Sequence, residues 1–228
     1  NGRISKEDVK YFVKSSMSLP SDERVIRDKP EFEEFDFSKF GSVNEQSLTR
    51  IQKQVAKNMA RNWRAIPHVT QHDDIDVTDL ETFRKEMEPT LGKLSAVAFI
   101  VKAVTIALKD FPQLNASLKN DGETLVLKEY IHIGLAVNVK DGLLVPVIKN
   151  ADQKGLRELS YEISRLADGA RDGALSFQDF SGSSFTVSSL GKLGGTGFSP
   201  IINRPEVAIL GVGRSSDRLM MSEGGVSN

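Results

Sequence analysis

The 228-residue chain contains no cysteine, which excludes disulfides, thiolate nucleophiles and cysteine-ligated metal. That absence fits a reducing compartment, and it leaves stability to packing. An excess of charge is missing too. Thirty Lys and Arg against 31 Asp and Glu leave a formal net charge of −1, so no global field favours nucleic acid or an anionic membrane surface. Any polyanion site must therefore be local. Long apolar runs are also lacking. The longest, residues 95–108, is interrupted by Lys102 and at 1.5 Å per residue falls short of roughly 30 Å of hydrocarbon. It reads as a buried helix. Finally, no charged leader followed by an apolar run opens the chain, which begins Asn1-Gly2-Arg3 in mid-sequence fashion and reads as an excised fragment.

What is present suits one sizeable globular domain with a tail, at 39% hydrophobic residues. In residues 1–13 a Gly-Arg turn leads to Ser5, with Glu7 and Asp8 in the next turn and Val9, Phe12 and Val13 on one helical face. That unit cannot bury a core alone. Residues 15–35 are mainly Ser, Pro, Asp, Glu, Arg and Lys, a composition with too little apolar area to offset chain ordering, and they read as linker. A domain is expected from Asp36 onward.

Within it, Leu48, Ile51, Val55, Met59 and Trp63 recur at three- and four-residue spacing, predicting an amphipathic helix over 47–66 that Pro67 stops. Its other faces carry Arg50, Lys53, Lys57, Arg61 and Arg64, which read first as a solvated surface. Alternation over 69–77 predicts a strand, and Thr78 opens a second helix using Leu80, Phe83 and Met87. The apolar helix follows and ends before Pro112. The run 131–139 returns through Lys140-Asp141-Gly142 into 143–148, the pattern of a hairpin. A further helix is expected over 156–170, with Leu156, Leu159, Ile163 and Leu166 inward and Gly173 near its end. Strands are expected at 184–188 and 207–212, flanking a glycine-rich loop. Mixed helices and strands of this kind imply an α/β or α+β two-layer domain on a mixed β-sheet.

The candidate chemical motifs favour plain readings. Gly191, Gly194, Gly195 and Gly197 match neither the phosphate-cradling Gly-Lys-Ser/Thr loop nor GxGxxG, so a tightly turned connection is the expectation. His68 and His72 precede Asp73, Asp74 and Asp76, but on a strand their four-residue spacing spans roughly 13 Å, too far for one metal. No metal site is expected. His132 reads as a structural strand histidine, and no serine sits in a GxSxG elbow.

Ordered blocks then carry a resemblance that covers nearly the whole chain after the linker. They are Asp36-Phe37-Ser38-Lys39-Phe40-Gly41, Leu48-Thr49-Arg50-Ile51, Ile66-Pro67-His68-Val69-Thr70, Phe111-Pro112-Gln113-Leu114-Asn115-Ala116-Ser117 and His132-Ile133-Gly134-Leu135-Ala136-Val137. Asp141-Gly142-Leu143-Leu144-Val145-Pro146-Val147-Ile148, Phe185-Thr186-Val187-Ser188-Ser189-Leu190-Gly191 and Pro205-Glu206-Val207-Ala208-Ile209-Leu210-Gly211 follow in order. The chain resembles the dihydrolipoamide acyltransferase (E2) cores of 2-oxoacid dehydrogenase complexes, with an opening similar to the pyruvate type. Gly2-Arg3-Ile4-Ser5-Lys6-Glu7-Asp8-Val9 resembles the end of the peripheral subunit-binding domain. The resemblance thus divides the chain into 1–14, the linker 15–35 and a catalytic domain 36–228.

The resemblance implies an α/β two-layer sandwich of the coenzyme A-dependent acyltransferase fold, similar to chloramphenicol acetyltransferase. It implies acetyl transfer between coenzyme A and a dihydrolipoyl arm, the lipoate being carried on a separate lipoyl domain of the same polypeptide. Ser188 matches the serine that donates to the oxyanion, Ser189 being only its neighbour, and Arg50, Asn115, Ser117 and Phe198 are expected near the coenzyme A or acyl path. Implied partners are a homotrimer building a 24-mer or 60-mer core, and E1 and E3 subunits held by the peripheral domain, with no nucleic acid and no membrane. The cytoplasm is implied for a bacterial protein and the mitochondrial matrix for a eukaryotic one. The family's Asp-His-Arg-x-x-Asp-Gly signature, which holds the general base, occurs nowhere in the 228 residues. The chain is therefore expected to be inactive as a fragment, and a non-catalytic, E3-binding scaffold is the alternative.

Overall fold

In the computed structural model, which describes residues 6, 7, 10, 35–92, 94–191, 194–218, 220–222 and 225–227, helices form where a three-to-four-residue apolar period meets a capping group. Helix α1 (Arg50–Ala65) starts at a capping box. The Thr49 hydroxyl accepts from the Gln52 amide at 3.3 Å and the Gln52 side chain accepts from the Thr49 amide at 2.9 Å. Its apolar stripe is not buried, however: Ile51 is 38% and Trp63 61% exposed, and Asn62 is the helix's one buried residue. Helix α2 (Thr78–Leu91) has Asp79 and Glu81 in its first turn, where the helix dipole favours them, and ends at Gly92 with φ 76°. The strand expected at 69–77 does not form. The segment is extended but joins no sheet ladder among the described residues, because its polar contacts run through side chains, as shown below.

Helix α3 (Ala96–Asp110) is capped by Ser95, whose hydroxyl accepts from the Val97 amide at 3.2 Å. Lys102, the charge inside the apolar run, reaches out of the core to donate to the Asp152 and Lys154 carbonyls, both at 2.9 Å. A short antiparallel pair follows, β1 (Ala116–Leu118) and β2 (Leu125–Leu127). The sequence reading took this region for a polar turn. Strands of three residues carry no measurable periodicity.

Strands β3 (Ile133–Val139), β4 (Gly142–Leu144) and β5 (Val147–Ile148) form the expected hairpin, with its second arm broken at Pro146. Helix α4 (Leu156–Asp172) buries Leu159, Ile163, Leu166 and Ala170 and terminates at left-handed Gly173. Strands β6 (Phe185–Ser189) and β7 (Ile209–Val212) lie parallel to β3, giving the order β4-β3-β6-β7 with β5 on β3. The last described pair is β8 (Met220–Ser222) with β9 (Gly225–Ser227). The sheet is mixed, as expected, and the fold is α/β with helices α3 and α4 layered on one face.

Period-two alternation decides what each face does. Ile133, Leu135, Val137, Phe185 and Val187 join Ala98, Val101, Leu108, Leu159, Ile163 and Leu166 in one buried cluster. Their intervening neighbours, Gly134, Ala136, Thr186, Ser188 and Gly211, face the other way and are all small. Val145 closes over Gly134, and Phe198 and Pro200 over Gly211, on that second face.

The compact unit carrying the sheet is Leu48–Asn228, and residues 36–47, which the sequence reading assigned to the catalytic domain, group with the preceding unit Asn1–Ser47. There Asp36 caps a 3₁₀ turn, Phe37–Phe40, and Phe35 stacks on Phe40 with centroids 5.6 Å apart. The subunit-binding stretch and linker read at 1–14 and 15–35 lie outside the described residues, apart from Lys6, Glu7, Lys10 and Phe35. No single helix among the described residues is long and apolar enough to cross a membrane.

Candidate active site on the small-residue face

Parallel pairing aligns Ser188 with Ala136 on one side and Gly211 on the other. The serine is half-buried, and its side chain makes no hydrogen bond among the described residues. A methyl group built on Gly211 would meet the Phe198 ring at 3.0 Å and Pro200 at 3.2 Å. Phe198 therefore lies over the glycine beside Ser188, and only glycine lets it approach so closely. These two sequence-predicted residues come together.

The 190–208 connection that carries Phe198 is held by the extended segment after α1. The Ile202 amide donates to His68 Nε2 at 2.9 Å, Thr70 donates to the Ser199 hydroxyl at 3.1 Å, and the His72 ring lies 3.4 Å from the position of a methyl on Gly197. The two segments thus run antiparallel, joined through side chains. Since His68 Nε2 accepts, its proton sits on Nδ1, which is 2.8 Å from the Ile66 carbonyl. Both ring nitrogens are committed. Trp63 stacks on the same ring with centroids 5.2 Å apart.

The other expected residues lie on different elements. Asn115, buried just ahead of β1, donates its side-chain amide to the Lys128 and Tyr130 carbonyls at 2.8 and 3.0 Å. Its role in the fold is to shape the β1–β2 hairpin. Its side-chain oxygen and the Ser117 hydroxyl are buried without a hydrogen-bond partner. Arg50 is exposed at the start of α1. Among the described residues no hydrogen bond or ion pair joins these three to Ser188. Sequence reasoning also missed Glu206, buried beside Thr186 on the face of Ser188.

His132, immediately before β3, is structural. Its Nδ1 accepts from the Asn150 amide at 3.1 Å, and its backbone exchanges bonds with Ser184. Burial, and then the Lys149 charge, hold its pKa below the ordinary histidine range. The unfolded chain thus takes up this proton first, and stability is lost as pH falls below about 6.5. Thermal melts between neutral and mildly acidic pH are expected to show a smaller loss for His132→Gln than for the wild type.

A mixed sheet with helices on one face is the architecture of coenzyme A-acyltransferase-like catalytic domains. Solved structures share it. The chain superposes with a TM-score of 0.83, at 42% identity over 87% of its length and 83% of the other chain, on the cubic core of a pyruvate dehydrogenase multienzyme complex. The same values hold for an Azotobacter vinelandii dihydrolipoamide acetyltransferase, studied for the role of one serine, one histidine and one asparagine in its mechanism. It is 48% identical, over 94% of its length, to the dihydrolipoyllysine-residue acetyltransferase component of the Cupriavidus necator pyruvate dehydrogenase complex. Residues 40–228 match the 2-oxoacid dehydrogenase acyltransferase catalytic domain, and the chain belongs to that family. It spans 41% of the length of the Cupriavidus relative.

Proposed function

We propose that this chain is the core of a dihydrolipoyllysine-residue acetyltransferase of a pyruvate dehydrogenase complex, moving acetyl between coenzyme A and a dihydrolipoyl arm. The observation that carries the reading is Ser188, a free hydroxyl on the small-residue face beside Gly211 and Phe198. In the reaction a thiolate sulfur attacks the acetyl thioester carbon and the carbonyl electron pair moves onto oxygen. Ser188 donates its hydroxyl hydrogen to that oxyanion, where charge develops. Collapse of the intermediate re-forms the carbonyl and expels the second thiolate, which takes up the proton. Phe198 walls the acyl path, and Arg50, Asn115 and Ser117 contribute to the coenzyme A side.

The proton of the attacking thiol needs a general base, and none of the three histidines here supplies it. His68 and His132 are engaged in the fold, and His72 packs on Gly197. The base belongs to the Asp-His-Arg-x-x-Asp-Gly signature, absent from these 228 residues. The lipoyl arm belongs to another domain of the polypeptide, and the cores assemble as trimers into a 24-mer or 60-mer that recruits E1 and E3. The cytoplasm of a bacterium is the proposed location, in keeping with the bacterial relatives.

An acetyl-transfer assay with acetyl-coenzyme A and dihydrolipoamide tests the proposal. A polypeptide of these 228 residues is expected to show no turnover above the uncatalysed rate, and one extended through the histidine signature is expected to be active. Turnover by the short chain at the rate of an intact core would remove the assigned base. A folded but inactive extended chain would instead favour a non-catalytic scaffold.

A further inference from the structure

Glu206 is 4% exposed, and neither of its carboxyl oxygens has a hydrogen-bond partner in acceptable geometry. The Thr186 hydroxyl beside it is likewise buried and unpartnered. The hydroxyls of Ser183 and Thr186 lie close enough to act on the carboxyl group, Ser183 already donating to the Phe185 carbonyl at 3.3 Å. A methyl on Gly134 would fall 2.8 Å from both hydroxyl oxygens, so the glycine keeps open the small space between them.

The charged group facing Glu206 from the β1–β2 side is Lys128, whose ammonium donates to the Ala116 carbonyl at 3.3 Å and makes no ion pair with Glu206. Arg204, on the glutamate's own turn, points instead to Asn120, donating at 2.7 Å. A lone buried carboxylate is costly even where a hydroxyl can donate to it, whereas an uncharged carboxylic acid avoids that cost and can itself donate to the Thr186 hydroxyl oxygen.

We propose that Glu206 is carried as an uncharged carboxylic acid whose hydrogen is directed at the Thr186 hydroxyl, and that it thereby acts as a positioning residue for Ser188. The inference rests on the reading of Ser188 as oxyanion donor. Thr186 and Ser188 are alternate residues of β6 on one face, about 6.7 Å apart. Fixing the first fixes the face of β6 that presents the second. Neutrality matters as well, because a buried carboxylate on the face of Ser188 would oppose the developing oxyanion. Burial also pushes the Glu206 pKa above the ordinary glutamate range. The sign follows: the folded state holds this proton longer than the unfolded one, so its contribution to stability is lost as pH rises through the folded pKa.

Two measurements on the 228-residue chain test the protonation without using activity. An infrared difference between wild type and Glu206→Gln at neutral pH is expected to show the carbonyl stretch of an un-ionised acid in the wild type alone. The melting temperature of the wild type, taken relative to that of Glu206→Gln at each pH, is expected to fall as pH rises above about 5. A carboxylate band in the infrared difference, with Lys128→Gln as destabilising as Glu206→Gln, would overturn the proposal in favour of a buried ion pair.

In the catalytically complete polypeptide, Glu206→Leu, which removes the hydrogen-bonding group, and Thr186→Val are each expected to lower kcat about tenfold at unchanged KM, and Glu206→Gln, which keeps a neutral donor, to restore most of it. Full kcat in a folded Thr186→Val variant would overturn the positioning role. If Ser188→Ala left turnover intact, the reading of the site would fail, while the infrared result would still decide the state of Glu206.

Discussion

Replacing Ser188 by alanine in the catalytically complete polypeptide is expected to lower kcat by about 10²–10³, the usual consequence of losing one oxyanion donor. The expectation rests on where the hydroxyl is free to point. Ser188 shares its face of the sheet with the small residues Ala136 and Gly211, and among the described residues no side chain accepts its hydrogen. KM should change little, because the bond forms only as charge develops on the oxygen. Ser189 is the internal control. It pairs with Val212, which packs against the core on the helix side of the sheet, so Ser189→Ala should leave kcat within about twofold. Equal losses from the two variants would show that the strand as a whole, and not one hydroxyl, is being felt. Steady-state kinetics with acetyl-coenzyme A and dihydrolipoamide measures both.

How much of this was legible in advance differs from element to element. Helices α1, α3 and α4 could be read because a long apolar period and a local cap agree, at Thr49, Ser95 and Gly173. The β3–β4 hairpin was legible at Asp141-Gly142, the glycine adopting φ 138°. Residues 69–77 were misread because apolar and polar residues alternate there without a strand to pair with. His68, Thr70 and His72 turn their side chains onto the 197–202 segment instead, a long-range arrangement that no local pattern encodes. Periodicity also foresaw the stripe of α1 but not its exposure, with Trp63 61% open. Ser188 was found by resemblance alone, since spacing in the chain says nothing about which serine faces a cavity. Glu206 escaped because the groups that act on it, Thr186 twenty residues earlier and Lys128 just after β2, are distant in sequence.

The other face of the same strands leads to the second large effect. Leu166→Ala is expected to destabilise the fold by about 2–5 kcal/mol, as transfer free energy and a residual cavity add. Leu166 is fully buried in the cluster that α4 forms with β3 and β6, among Leu159, Ile163 and Val187. Those strands are parallel, and their pairing joins segments some fifty residues apart, so the helix layer is what holds them in register. Urea unfolding of the 228-residue chain should show a lower midpoint at an unchanged slope. A loss below about 1 kcal/mol would mean that the layer repacks freely around the gap. The alternation of β6 then makes a sharper demand. Val187 points into this core and Ser188 away from it, so in the catalytically complete polypeptide Leu166→Ala should lower the midpoint while sparing kcat per folded molecule. Ser188→Ala should do the reverse. A variant of either kind that moved both quantities together would mean that the helix layer and the serine face are coupled through the strand, and that the small residues opposite the core do not isolate the chemistry from the packing.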